Sequence, residues 1–277
     1  MTEPDVPFRP RVVGVIHLPP LPGSARGGSA SGLPVLLDHA RRDADAYAEA
    51  GAGALIVENF GDVPFAKDSV APSTIAAMAL AVAAVRDATG LPVGVNVLRN
   101  DVLGAVSVAA MAGGSFVRAN VYVGAALTDQ GIIEGRAEEV QALIRRLGAP
   151  LAVWADVDVK HAVPLAARPL GDLAADAVER GLASAVIVTG RATGEPASLA
   201  DLQAMAIAVP ATPLYVGSGV NAESVGRLLT VATGIIVGTA AKREGLLANP
   251  VDPERVRAIV RAAADSPEHL PNHAGPA

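Results

Sequence analysis

Hydrophobic and polar positions alternate along this chain in blocks. Eight short runs rich in β-branched residues are near-continuous in apolar side chains at their centres and end in polar residues or glycine. They are Val12–Leu18, Ala54–Asn59, Pro92–Leu98, Ser115–Val121, Leu151–Val159, Ala185–Gly190, Leu214–Gly219 and Gly234–Thr239. Runs of this kind predict parallel strands buried on both faces. The segments between them carry helix signals. Over Leu33–Ala50, Leu36, Leu37, Ala40, Ala44, Tyr47 and Ala48 form one stripe with Arg41, Arg42, Asp45 and Glu49 opposite, and Gly51 ends it. Ser198 and Asp201 make a capping box, Asn221 is an N-cap for a helix expected to reach Ala232, and Asp252-Pro253-Glu254 opens a last helix.

Eight strand–helix units predict an α/β fold, a single (β/α)8 TIM barrel. An open doubly wound sheet uses the same units, but no Gly-x-Gly-x-x-Gly follows the first strand and no linker divides the chain. The expected organisation is a flexible segment 1–10, a barrel over 11–265 and a disordered tail 266–277.

Composition narrows the function. The 277 residues are 51% hydrophobic, too apolar for a disordered chain, and carry a net charge of −6, which argues against nucleic acid as a partner. Without cysteine there is no thiolate nucleophile and no disulfide framework. The charge-free run Leu202–Ala222 is interrupted by Pro210 and Pro213, so no integral membrane segment is expected, and a cytoplasmic location follows as the expectation.

In a barrel of this kind the chemistry sits where strands end. Those ends supply His17, Glu58, Asn96 with Arg99, Arg118 with Asn120, Asp156 with Asp158 and Lys160, Thr189 with Arg191, Gly217-Ser218-Gly219, and Gly238-Thr239 with Lys242. A long loop after the fourth strand carries Thr128, Asp129, Gln130 and Glu134. Gly217, Ser218 and Gly219, completed by Gly238 and Thr239, suit a phosphate held by backbone N–H groups and a helix amino terminus. Asp156, Asp158 and Lys160, spaced by two, would share one face of a strand as proton-handling groups. Glu58 is a catalytic carboxylate candidate and His17 an acid, base or anion contact. Arg118 is expected to hold an anionic group or to pair with Glu58 or Asp156. A divalent metal stays an open alternative, with Asp156, Asp158, His161, His17 or Glu58 as ligands and no spacing that specifies one. No other cofactor is indicated.

At these positions the chain resembles the BtpA/SgcQ family. The likeness rests on Gly14-Val-Ile-His-Leu-Pro-Pro-Leu-Pro-Gly23, Val57-Glu-Asn-Phe-Gly-Asp-Val-Pro-Phe65, Val93-Gly-Val-Asn-Val-Leu-Arg-Asn-Asp101, Thr128-Asp-Gln-Gly-Ile-Ile-Glu-Gly135, Ala155-Asp-Val-Asp-Val-Lys-His-Ala162 and Val216-Gly-Ser-Gly219. Arg191 stands where the family's Thr-Gly-Lys-x-Thr-Gly pattern has lysine, keeping the charge without the amine. The resemblance implies a TIM barrel of the ribulose-phosphate-binding type. One family name comes from a factor needed for photosystem I accumulation in cyanobacteria, the other from a protein grouped with sugar-uptake and sugar-phosphate genes. Two expectations follow. The first is an enzyme acting on a phosphorylated sugar or a ribosyl or nucleotide compound, by isomerisation, elimination or glycosidic cleavage. The second is a non-catalytic assembly factor. A homo-oligomer is compatible with both.

Overall fold

Each β-branched run pairs with the next in parallel, and the last returns to the first. The computed structural model describes residues 9–159, 161–189 and 198–267. Its strands are β1 (Val12–His17), β2 (Ala54–Glu58), β3 (Val93–Asn96), β4 (Phe116–Ala119), β5 (Ala125–Thr128), β6 (Gly131–Glu134), β7 (Ala152–Val157), β8 (Ala162–Pro164), β9 (Ala185–Val188), β10 (Leu214–Val216) and β11 (Gly234–Val237). The barrel order is β1-β2-β3-β4-β7-β9-β10-β11, and pairing of Val12 with Ile235 and Gly14 with Val237 closes the ring. The fold is a TIM barrel.

The helices are α1 (Leu33–Glu49), α2 (Pro72–Thr89), α3 (Val102–Ala112), α4 (Ala137–Leu147), α5 (Leu170–Ala175), α6 (Leu199–Ala208), α7 (Val225–Leu228) and α8 (Pro253–Ala264). Their caps follow the sequence signals: Ser198 accepts from the Asp201 N–H at 3.0 Å and Asp252 from the Glu254 N–H at 3.0 Å. Among the described residues, no helix is long and apolar enough to cross a membrane.

Alternate residues of each barrel strand face inward, including Val13, Val15, Ile56, Phe116, Trp154, Ile187, Tyr215 and Ile236. Phe116, Trp154 and Tyr215 stack as a column, with successive centroids 4.2 Å apart. The opposite faces, with Leu55, Val57, Val95, Val117 and Val186, join the helices in the larger outer core.

Three expectations are corrected here. Several strands stop one to three residues short of the ends of the runs that predict them. The helix after Asn221 does not reach Ala232. Asn221 spends its carboxamide oxygen on the N–H groups of Glu223 and Ser224, a local turn, and only Val225–Leu228 is α-helical. The expected long loop after the fourth strand is a hairpin, β5–β6, to which β8 adds as a third antiparallel strand. The buried side of that sheet packs Ala126 and Ile133 on Val121 and Val159.

The three tyrosines give the fold a pH limit. Burial raises the phenol of Tyr47, with the Asp43 charge adding to it, and burial raises that of Tyr215. Burial pushes Tyr122 to about 12 against the lowering effect of its hydrogen bond with Gln141. A folded-state pKa above the unfolded value of about 10 contributes stability that is intact below pH ~10 and lost as pH rises. Urea unfolding should therefore show stability falling between about pH 10 and pH 12, by about 1.4 kcal/mol per pH unit for each phenol still protonated. Phenolate absorbance that appears near pH ~10 with the protein still folded would contradict this.

Candidate active site

The interior parity, carried two residues past the apolar layer, writes out the top of the barrel. Val15 leads to His17, Ile56 to Glu58, Gly94 to Asn96 and Phe116 to Arg118. Trp154 leads to Asp156, Ile187 to Thr189, Tyr215 to Gly217 and Ile236 to Gly238. All eight are at the C-terminal ends of strands. Register sets His17 beside Glu58 and Glu58 beside Asn96 on neighbouring strands. Six side chains and two glycines at the strand ends surround the mouth, with the two gaps side by side on β10 and β11.

A cavity of about 420 Å³ opens above this ring. His17, Glu58, Arg99, Arg118, Asn120 and Thr189 line it together with Gly217, Ser218, Gly219, Gly238 and Thr239. Glu58, Arg118 and Ser218 are 9% exposed or less. One hydrogen-bonded chain orders the β3–β7 side. Arg118 donates through Nε to both Asp156 oxygens at 3.2 Å and pairs through Nη2 at 3.1 Å. Asn120 donates to Asp156 at 2.6 Å, and Asn96 donates to the Asn120 carboxamide oxygen and the Arg118 carbonyl. Of the partners left open for Arg118 by the sequence, Asp156 is the one that binds it directly.

The charges respond to this crowding. Burial pulls the Arg118 pKa down, but the adjacent Asp156 and Glu58 outweigh it and leave it above the usual arginine value. Arg99 is lowered, because burial and the neighbouring Arg118 charge exceed the support of Asp156, Asp129 and Glu58. A bare Cα at Gly217 is required here. A Cβ would come within 2.8 Å of Ile187 and 3.4 Å of the Arg118 Nη2, so the guanidinium crosses the barrel to the glycine turn. The Gly217 N–H itself donates to the Val188 carbonyl. The expected amide donors therefore reduce to those beyond it, and the four-residue α7 supplies far less dipole than the helix expected there.

The BtpA family model matches residues 9–265. The chain belongs to the BtpA family. It is 42% identical over 261 residues to the photosystem I biogenesis protein BtpA of Synechocystis, spanning 94% of this chain and 90% of that protein. It is 47% identical over 250 residues to an uncharacterized protein of Pyrococcus furiosus, spanning 90% and 93%. Among solved structures it is similar to N-(5'-phosphoribosyl)anthranilate isomerase from Pyrococcus furiosus, with a TM-score of 0.56 at 13% identity over 92% of this chain and 99% of that one. A structure described as native KDPGal also gives 0.56, at 16% identity over 92% and 94%. At such identities these two speak for the fold alone.

Within the BtpA-family stretches, many polar residues turn out to be scaffold. Asn59 accepts from the Leu98 N–H at 2.7 Å and donates to Asp62, which in turn accepts from the Leu21 N–H at 2.8 Å. Asn100 exchanges two hydrogen bonds with the Val121 backbone, and Asp101 caps α3 while accepting from the Val70 N–H. These bonds fix the loops that carry the ring.

The shared strand face expected for Asp156 and Asp158 is not formed. Strand β7 ends at Val157, and Asp158 takes a left-handed φ of 59°, which breaks the period of two. Asp158 lines a neighbouring, mainly apolar pocket of about 220 Å³, which Asp156, Asn120 and residues of β5 and β8 line as well. Lys160 and Arg191 lie outside the described residues. Lys242 is removed from the mouth altogether, 1% exposed and paired with Asp43 on α1. As for the metal alternative, no group of three or more His, Asp or Glu side chains able to hold an ion occurs among the described residues. Arg99 was present in the sequence only as one of several polar residues after the third strand. Its place directly beyond a buried run, amid acids, was the available signal.

Proposed function

We propose that this chain is a TIM-barrel enzyme acting on a phosphorylated sugar or a ribosyl or nucleotide compound. The observation that carries the reading is the composition of one cavity. Glu58, His17 and two arginines face the same about 420 Å³ as the two glycine turns after β10 and β11. Where the ring lacks side chains an anion has room. The Ser218 hydroxyl and the backbone beyond Gly217 supply short-range donors, and the Arg118 guanidinium supplies charge.

Glu58 and His17 are the groups for moving a proton, by their place on adjacent strands at the mouth. Asp156 acts as a positioning residue, since its carboxylate is committed to Arg118 and Asn120. Isomerisation, elimination and glycosidic cleavage all use one such acid or base beside an anchored phosphate.

An aspartate at position 218 tests the anchor. Ser218→Asp should weaken inorganic phosphate or ribose 5-phosphate by about 30- to 100-fold in calorimetric titration, since like charges in contact cost several kcal/mol. Unchanged affinity rejects the cradle. A second reading, an assembly factor, is favoured by the photosystem I biogenesis role named for the Synechocystis relative and by one surface feature. Ile132, Leu127 and Val163 form a row across β6, β5 and β8, each 46% exposed or more. The same titration separates the readings, because an assembly factor has no use for a phosphorylated ligand.

A further inference from the structure

The chain has one tryptophan, three tyrosines and four phenylalanines, so each aromatic ring left accessible matters. Tyr47, Phe116, Tyr122, Trp154 and Tyr215 are exposed by 1% or less. Phe60 is 36% exposed, and it lines the mouth cavity together with the half-buried Phe65. Its ring meets the His17 imidazole edge-on at 5.1 Å and Phe65 at 6.5 Å.

The backbone on both sides of Phe60 is clamped. Before it, Asn59 is fully buried and bonded to Leu98. After it, the Gly61 N–H donates to the Leu18 carbonyl at 3.0 Å and the Asp62 N–H to the Asn59 carbonyl at 3.1 Å. A Cβ at Gly61 would lie 2.3 Å from the Pro20 nitrogen, so glycine lets this loop rest on the Pro19-Pro20 turn. A rigid main chain that presents a phenyl ring to a cavity is a preorganised stacking platform.

We infer that Phe60 stacks a planar heteroaromatic ring, so that the substrate is a ribosyl phosphate carrying a base. The inference deepens the phosphate reading above and rests on it. The ring order of the barrel supplies the layout. From the glycine turns on β10 and β11 the wall continues through β1, with His17, to β2, with Glu58, and then to the loop that carries Phe60. A ligand laid along this arc places its phosphate in the cradle, its sugar beside His17 and Glu58, and its ring on Phe60. The bond between sugar and ring is then nearest the proton-handling groups.

Calorimetric titration of the full chain with inorganic phosphate, ribose 5-phosphate, uridine, UMP and AMP tests this. Wild type should bind UMP or AMP about tenfold or more tightly than ribose 5-phosphate, and Phe60→Ala should remove that increment, as loss of one stacked base does. Phe60→Leu, which keeps the apolar bulk, should lose it too, and Phe60→Trp should retain it. Binding of ribose 5-phosphate and inorganic phosphate should change by less than about twofold in all three variants, whose intact fold is checked by thermal melting. No base preference in wild type, or an equal loss for ribose 5-phosphate, overturns the platform. Uridine binding that depends on Phe60, without any phosphate binding, would reject the cradle and leave the platform standing.

Discussion

Replacing Asp43 with alanine is expected to lower the stability of the fold by about 3–5 kcal/mol, the usual cost of stranding a buried charge. Asp43 and Lys242 are 2% and 1% exposed, and the carboxylate accepts from the lysine Nζ at 2.5 Å and from the Val251 N–H at 2.9 Å. These bonds tie α1 to the segment between β11 and α8, which closes the barrel on the outside. Without the carboxylate, an ammonium and a backbone N–H stay buried with no acceptor there. For a chain of this size the loss corresponds to a drop of roughly 6–20 °C in melting temperature. The double variant Asp43→Asn/Lys242→Met keeps an acceptor for Val251 and removes both charges, so it should recover most of the loss. A single variant that loses less than about 1 kcal/mol in urea unfolding would mean that the pair is hydrated in solution.

Arg118→Met should cost a similar amount, about 3–5 kcal/mol, for the mirror-image reason. The Asp156 side chain is 0% exposed, and the methionine leaves its carboxylate with Asn120 in place of a cation. Adding Asp156→Asn should restore stability, because a neutral amide is less costly to bury. It should not restore phosphate affinity, because the guanidinium that reaches Gly217 is still missing. The two readouts therefore part company: stability follows the pair, and binding follows Arg118. A double variant that binds phosphate like wild type would remove Arg118 from the anion site.

Much of the architecture was readable because of how barrels bury strands. Two-sided burial writes a strand as an unbroken β-branched run, and eight such runs with helical intervals leave few alternatives. The same logic marked the mouth, since an ionisable side chain directly after a buried run needs a partner or a task. Glu58, Arg118 and His17 were found in that way. The hairpin β5–β6 was missed because its strands are four residues long and its third strand, β8, arrives from beyond β7. Local pattern carries no trace of a pairing such as that of Leu127 with Val163, far along the chain.

What the chain itself determines is the succession of strands and the identity of the residue two steps beyond each apolar layer. Side-chain parity is a local property of the backbone, so both can be counted along the sequence. Which of those residues spend their hydrogen bonds on one another was decided only when the ring closed. Closure bound Asp156 to Arg118 and drew Lys242 out to Asp43, while a left-handed turn at Asp158 ended the two-residue period of β7. Polar partners lie far apart in sequence, and the cost of leaving any of them unpaired in a low-dielectric interior is settled by three-dimensional proximity alone.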